Sequence, residues 1–506
     1  MKKIYKYLLI IAIFFPVAAG AQVLKGSYFL DHSVNNHRMN PAFVPRSNYF
    51  QALCLGYVGS GIYSNLDVPL LLQPVDGKLG TFLHPSVSVK DFERQLPSHL
   101  HLDTELETTL LSFGGFTKKK SFWNFSVDIK ANVDVDLPSD LFLFMKKGVG
   151  TQADKYNIGN VNAYMGVSAQ AAFGYSREWF KGFRGGFKVR GIVPLAYAGL
   201  NLEDMSLETG ADRWTIRTDG NLHIAANGVK MNQSEANSFP SPEFDPNKFL
   251  GSKIVAGWGA SVDLGVEYTL EIGCPVDGMA FSLAVTDLGV MSYSKDALMS
   301  YTNKGRVDWT GFQLDENLDL NVKEAIDDLA NNAKGLLNIK EVASDKGLVR
   351  TTMPRLYAGV ELPFLKRSMS VGLLYSARFS HSYARHELTA SYNITPCKWF
   401  ALGLNYSFLN TTRSMGAVLE LTPKWGPCLF VGVDYFPMEW INAPILEDIL
   451  GESPGLLNMI GIKTTSWAVP MSSRFNLNFG IAMNLGSKHL NPKKEIKEKK
   501  NSNKNN

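Results

Sequence analysis

The stretch Ser121–Val135, SFWNFSVDIKANVDV, constrains the fold of this chain most. In an extended chain, successive side chains point to opposite faces. Trp123, Phe125, Val127, Ile129, Ala131, Val133 and Val135 therefore share one face, and Phe122, Asn124, Ser126, Asp128, Lys130, Asn132 and Asp134 share the other. A strand that packs on a soluble core typically runs about five or six residues, whereas this alternation lasts fifteen. A tilted strand crosses a bilayer in about 9–11 residues. The stretch is long enough to span one.

The same pattern recurs. Fourteen candidate strands cover 49–59, 104–116, 120–135, 160–178, 182–197, 254–269, 278–290, 349–362, 367–380, 383–394, 398–408, 412–422, 427–437 and 473–485. The last sets Phe475, Leu477, Phe479, Ile481, Met483 and Leu485 against Asn476, Asn478 and Asn484. Charges keep to the second face throughout: Asp128, Lys130, Lys188, Arg190, Asp263, Glu267, Arg355, Glu361, Arg378, Glu387 and Glu420. An Arg or Lys on the lipid face at mid-bilayer costs about 2–4 kcal/mol, so a charge-free face is what lipid demands. Propellers and sandwiches would show shorter strands with two-sided apolar character.

The connections give a second line of argument. Those after even-numbered strands are short, and every long one follows an odd-numbered strand: 60–103, 136–159, 198–253, 291–348 and 438–472. Outer-membrane barrels have short periplasmic turns and long extracellular loops. An even strand number with a periplasmic N-terminus reproduces that segregation. Segments 212–219 and 304–313 also alternate and read as hairpins extending above the membrane.

Lys2, Lys3 and Lys6 precede the apolar run Leu8–Ala19, and Ala19-Gly20-Ala21 supplies a small-residue cleavage site, the form of a secretory signal. Beyond it no run approaches the roughly 18 apolar residues of a spanning helix. The tail 487–506 carries seven Lys and two Glu, and the signal adds three Lys, which leaves the body at −4 within a formal total of +4. A mildly acidic body argues against a nucleic-acid-binding fold. The four cysteines, Cys54, Cys274, Cys397 and Cys428, show neither CxxC nor metal spacing and are read as structural. The domain reading is a signal peptide over 1–21, an N-terminal segment over 22–48, a barrel over 49–486 and a disordered basic tail over 487–506.

Three short motifs carry a family resemblance: Asn40-Pro41-Ala42 ahead of the first strand, Ala284-Val285-Thr286-Asp287-Leu288-Gly289 ending the seventh, and Pro354-Arg355-Leu356-Tyr357-Ala358-Gly359 opening the eighth. With the strand pattern, the chain resembles a family of outer-membrane β-barrels of unknown function from Bacteroidota. That family is related to FadL-type fatty-acid transporters and to PorV-type barrels of type IX secretion. In FadL-type barrels a segment around the Asn-Pro-Ala motif plugs a fourteen-strand lumen. The resemblance thus implies a plug at 22–48, with Asn40, Pro41 and Ala42 as its motif. The polar end, 487–506, departs from barrels that stop at an aromatic residue.

The expected fold is all-β: a transmembrane antiparallel barrel of about fourteen strands with a plug-like segment and long extracellular loops, in the outer membrane of a Gram-negative bacterium. Fourteen strands fall between the eight that side chains can fill and the sixteen to eighteen of open porins. Asp128, Lys130, Lys188, Arg190, Asp263, Glu267, Arg355, Glu361, Arg378 and Glu387 are the candidate lumen residues. Their mixed signs favour interior ion-pair networks over a selectivity ring of one sign. Apolar loop stretches, Val68–Leu72 and Ile445–Ile460, fit packing over the mouth, a hydrophobic ligand or a partner surface. Asn321–Lys334 reads as a short amphipathic lid helix. His99 and His101 form a His-x-His pair that reads as solvated loop. No G-x-S-x-G elbow, P-loop, HExxH or calcium loop occurs, so the chain reads as a non-enzyme without a cofactor. Two functions follow: transport of a small hydrophobic or amphipathic solute, or a barrel whose loops bind a secreted or surface protein.

The face assignment is testable at mid-strand. Val127→Lys, on the lipid side, is expected to lower barrel levels in the membrane fraction well below those of Ser126→Lys. Equal levels of the two variants would overturn it.

Overall fold

The computed structural model describes residues 24–486 except 31–32, 53–54, 67, 76–77, 118–120, 148–153, 210–213, 228, 233–240, 245–254, 273–275, 310–338, 343–345, 398, 410–412, 424–425, 437–439, 444–466 and 471–472. The signal, the helix expected at 321–334, the apolar loop at 445–460, the basic tail, Cys54 and Cys274 lie outside them.

Long period-2 segments joined by short turns pair with their neighbours in sequence, and this builds one antiparallel sheet. Its strands are β1 (Asn48–Ala52 and Val58–Ser64), β2 (His99–Phe116), β3 (Phe122–Pro138), β4 (Val161–Phe180), β5 (Phe183–Thr209), β6 (Gly257–Leu270) and β7 (Met279–Tyr293). They continue as β8 (Leu348–Thr351 and Arg355–Phe364), β9 (Met369–Phe379), β10 (Ala384–Cys397), β11 (Phe400–Leu409), β12 (Arg413–Leu421), β13 (Gly426–Phe436) and β14 (Arg474–Gly486). β14 pairs with β13 and with both parts of β1. The sheet therefore closes into a fourteen-stranded barrel and leaves no edge.

Two strands are interrupted. β8 breaks at Met353-Pro354, where proline has no N–H for the ladder. β1 breaks before Val58, where Thr109 N donates to Tyr57 O at 2.9 Å. Two strands run longer than their alternation suggests. β2 begins at His99, so His99 and His101 are on the barrel wall rather than in a solvated loop. β5 continues to Thr209, and a register shift on its β4 side falls beside Pro194. Below that point β5 pairs with β6 through Phe183–Ile192. Above it, Ala196–Thr209 pairs with Trp214–Ala226, which in turn pairs with Leu298–Trp309. These two extra strands extend the wall beyond the long-loop end and leave the barrel count unchanged.

The outer face is apolar where it is exposed. Phe173, Val189, Leu264, Leu283, Leu373, Leu404, Val431 and Ile481 are among its exposed side chains. Trp179, Phe180 and Trp399 stand at the short-turn end and Trp258 at the other, as aromatic girdles do on both sides of a membrane band. Over the long-loop end, a small core forms from Leu66, Leu70, Phe82, Val87, Phe92 and Leu100, with Phe142 and Leu143 from helix α2 packed against it. Here α1 is Val89–Gln95, N-capped by Ser88 Oγ accepting from Asp91 N at 3.4 Å, and α2 is Ser139–Lys147. Phe82 and Phe92 stack at 5.0 Å between centroids.

This cap should come apart independently of the barrel. Phe92→Ala, removing a ring that is 1% exposed, is expected to cost about 3–5 kcal/mol. The readout is faster proteolysis between residues 65 and 100, with an unchanged heat-modifiable barrel band on gels. Loss of that band would show that the cap and barrel fold as one unit.

Candidate functional site

The residues before β1 have no period, yet they are among the most buried in the chain. Tyr28, Leu30, Met39 and Asn40 are at most 1% exposed. The segment makes two 3-10 turns, Lys25–Ser27 and Asn36–Arg38. It contacts strands on every side of the barrel, which only a segment inside the lumen can do. Lys25 and Gly26 reach β13 and β10, Arg38 reaches β2 and β3, and Asn40-Pro41-Ala42 reaches β4, β5 and β6.

Asn40 builds the turn of its motif. Its Oδ1 accepts from Ala42 N at 2.9 Å, and its Nδ2 donates to Val266 O at 3.2 Å. Ser176 Oγ donates to Ala42 O at 3.1 Å. The wall opposite is glycine because the approach is so close: a Cβ on Gly186 would lie 2.1 Å from Pro41 O. The neighbouring site is as tight, with Asn40 Oδ1 at 2.1 Å from a Cβ on Gly265. Either side chain would displace the segment.

Two cations pin the segment. Arg38 pairs with Glu107 and with Asp128 (2.9 Å), donates to Thr109 Oγ1, and lies 4.4 Å from the Tyr57 ring centroid. Asp128 also accepts from Thr109 and Ser126 hydroxyls at 2.7 Å. Lys25 Nζ pairs with Glu387 and donates to Tyr435 Oη at 3.0 Å, while the Tyr435 hydroxyl donates to Glu387 at 2.7 Å. The backbone N–H groups of Lys25 and Gly26 donate to the two Asp434 oxygens at 2.7 and 2.8 Å. Burial presses the Lys25 ammonium below its ordinary pKa, and Glu387 pulls it back up. Burial, with Lys188 beside it, holds His37 well below the usual imidazole range, so it is neutral. Its ring lies 3.3 Å from Tyr49 Oη.

A second network crosses the lumen. Asp103, Glu105 and Glu107 occupy alternate positions of β2. Arg378 pairs with Asp103, and Arg385 lies 3.3 Å from the same carboxylate. Arg355 pairs with Glu105, and Lys130 reaches Glu105 at 2.9 Å and Asp287 at 3.2 Å. Arg190 joins Asp263 (2.5 Å) to Asp287. Asp287 has φ 58° at a bulge where Thr286 and Asp287 together oppose Asp263, and its N–H donates to Asp263 Oδ1 at 2.8 Å. An aspartate tolerates this left-handed conformation better than most side chains.

Of the residues that the sequence proposed, Asp128, Lys130, Arg190, Asp263, Arg355, Arg378 and Glu387 meet in these pairs. Lys188 Nζ donates to His37 O at 3.3 Å. Glu267 and Glu361 lie at the short-turn end, where they line a cavity of about 110 Å³ against Tyr28 and Phe43. Sequence reasoning missed Lys25, Arg38, Asp103, Glu105, Glu107, Asp287 and Arg385. The i, i+2, i+4 acids of β2 were a readable signal, and so was the phase change from Phe281, Leu283 and Val285 to Leu288 and Val290 around Asp287. His386 points outward, its Nδ1 2.7 Å from Tyr375 Oη, on the face opposite Glu387. His99 and His101 both lie near Asp136, but no group of ligands able to hold a metal occurs among the described residues. Cys397 and Cys428 are free.

The geometry defines a class: a closed fourteen-strand β-barrel whose lumen is filled by its own N-terminal segment. The chain belongs to the Family of unknown function (DUF5723), whose model matches residues 41–434. Comparison with curated proteins yields no significant match. Among solved structures it is similar to the toluene transporter TodX of Pseudomonas putida, at 9% identity over 88% of this chain and 93% of that one, with a TM-score of 0.36. It is likewise similar to the toluene transporter TbuX of Ralstonia pickettii, at 8% identity over 89% and 93%, with a TM-score of 0.38.

Breaking one pin should loosen the segment measurably. Lys25→Met leaves Glu387 buried without its cation, a loss of about 3–5 kcal/mol. The expected result is faster hydrogen exchange at Gly26 and Ser27, partly reversed by adding Glu387→Gln. Unchanged exchange in the single variant would refute the pairing.

Proposed function

We propose that the chain is an outer-membrane barrel through which a small hydrophobic or amphipathic solute crosses, with residues 22–48 as its plug. The single observation that carries this reading is the cavity between that segment and the wall. It combines Tyr28, Phe29, Phe43 and Phe116 with the charged Arg184, Glu267 and Glu361. An apolar cavity of about 150 Å³ takes benzene, so about 110 Å³ suits a ligand no larger than one aromatic ring. The mixed lining suits a solute with one polar end. In this reading the ten sequence-proposed residues line the lumen, 1–21 directs export, and the short-turn end with the cavity faces the periplasm. The apolar belt and its aromatic ends support placement in a lipid bilayer.

The test is flux. Mature protein in planar bilayers and liposomes is compared with a variant lacking residues 22–48, using monoaromatic and sugar solutes. Deletion should raise conductance severalfold, and the intact barrel should pass the aromatic solute faster than the sugar. No conductance and no flux from either protein would sink the transport reading.

A further inference from the structure

Where the N-terminal segment meets β8, β9 and β10, a second cavity of about 20 Å³ is lined by Lys25, Arg355, Arg378 and Arg385, with Tyr357 and Ser376. Each of the four cations is at most 7% exposed. Among the described residues no carboxylate belongs to the lining. Their carboxylate partners, Glu387, Glu105 and Asp103, all lie outside it.

The donors here outnumber what the carboxylates accept. Arg355 Nε and Arg378 Nε are buried without a hydrogen-bond partner among the described residues. Arg355 Nε is 3.9 Å from Asp287 Oδ2, beyond hydrogen-bond reach. Arg378 Nη2 donates to Met353 Sδ at 3.4 Å, and a thioether is a weak acceptor. Asp103 Oδ1 is also unpaired but stands outside the lining. Buried donors left in this state are costly.

We propose that this cavity binds a single halide-sized anion. The inference is independent of the transport reading, since it concerns what completes the charge network rather than what crosses the barrel. About 10–15 Å³ holds one water, so the space admits one particle slightly larger and excludes carboxylates and oxoanions. A water would need acceptors for its own hydrogens, and among side chains the lining offers only two hydroxyls. An anion uses the surplus N–H groups directly, and its attraction to four cations is strengthened by the low dielectric of the lumen.

The experiment is a bromide map. Crystals of the mature protein grown in sodium bromide should show an anomalous peak within hydrogen-bond distance of Arg355 and Arg378. Ser376→Val fills the cavity without altering a charge, and the peak should be lost. In solution, the temperature of heat-modified gel migration should be higher in chloride than in gluconate at equal ionic strength, and Ser376→Val should abolish that shift. A wild-type cavity holding water without anomalous signal, or an undiminished peak in Ser376→Val, overturns the proposal. If Ser376→Val does not assemble, the wild-type bromide map decides alone.

Discussion

A carboxylate on the inner wall of a closed, filled barrel has little water to solvate it, so it must find a cation within the same lumen. β2 places three acids on that wall at Asp103, Glu105 and Glu107, and no cation on β2 faces them. Glu107 pairs with Arg38 and Glu105 with Lys130 of the adjacent β3, while Asp103 and Glu105 also draw partners from far along the chain. Arg355, Arg378 and Arg385 are separated from them by 250, 275 and 282 residues. These pairs tie β2 to β8, β9 and β10 across the barrel, so the lumen contents depend on closure of the whole sheet. Adjacent-strand pairing sets the wall, and the cross-ties set what fills it.

The N-terminal segment completes this charge balance. Lys25 supplies the cation for Glu387, and Arg38 supplies the one for Glu107 and Asp128. Expelling the segment as a unit would strip three inward-facing carboxylates of their partners at once, unless water entered behind it. Under the proposed function, a route around the segment is therefore favoured over a route that ejects it. The cavity beside Tyr28 and Phe43 is on such a route, and the glycines at 186 and 265 that seat Asn40 and Pro41 fix the segment next to it.

The strand pattern was legible because lipid and lumen impose opposite demands on alternate residues, and all fourteen strands repeat that demand. The limits of β2 and β5 were less legible, because alternation fades where both faces of a wall are covered by loops or hairpins. Lys25 and Arg38 were invisible for a different reason. They lie in an irregular segment with no period, and their role follows from which wall they touch. The acids of β2 did carry a period, but a row of acids reads as lumen-facing only once the arginines opposite are known. Asp287 was quoted in a motif, yet its importance is geometric, since the bulge turns inward a position that strict alternation would turn out.

That bulge reconciles the two faces of β7. Before it, Ala280, Ser282, Ala284 and Thr286 are the inward positions, and after it Tyr293 is buried while Leu288 and Val290 are exposed. The change of phase lets the outer face stay apolar on both sides while Thr286 and Asp287 both turn toward the interior. Asp287 then collects Lys130 from β3, Arg190 from β5 and, more distantly, Arg355 from β8, and its carbonyl is capped by Thr352. Strands that are distant around the barrel are thus tied through one carboxylate. A wide aqueous pore could not keep such ties, because water would replace each partner and the charges would separate. Fourteen strands without them would enclose an open lumen; with them, the cavities between the N-terminal segment and the wall are small, and under the proposed function selectivity arises there.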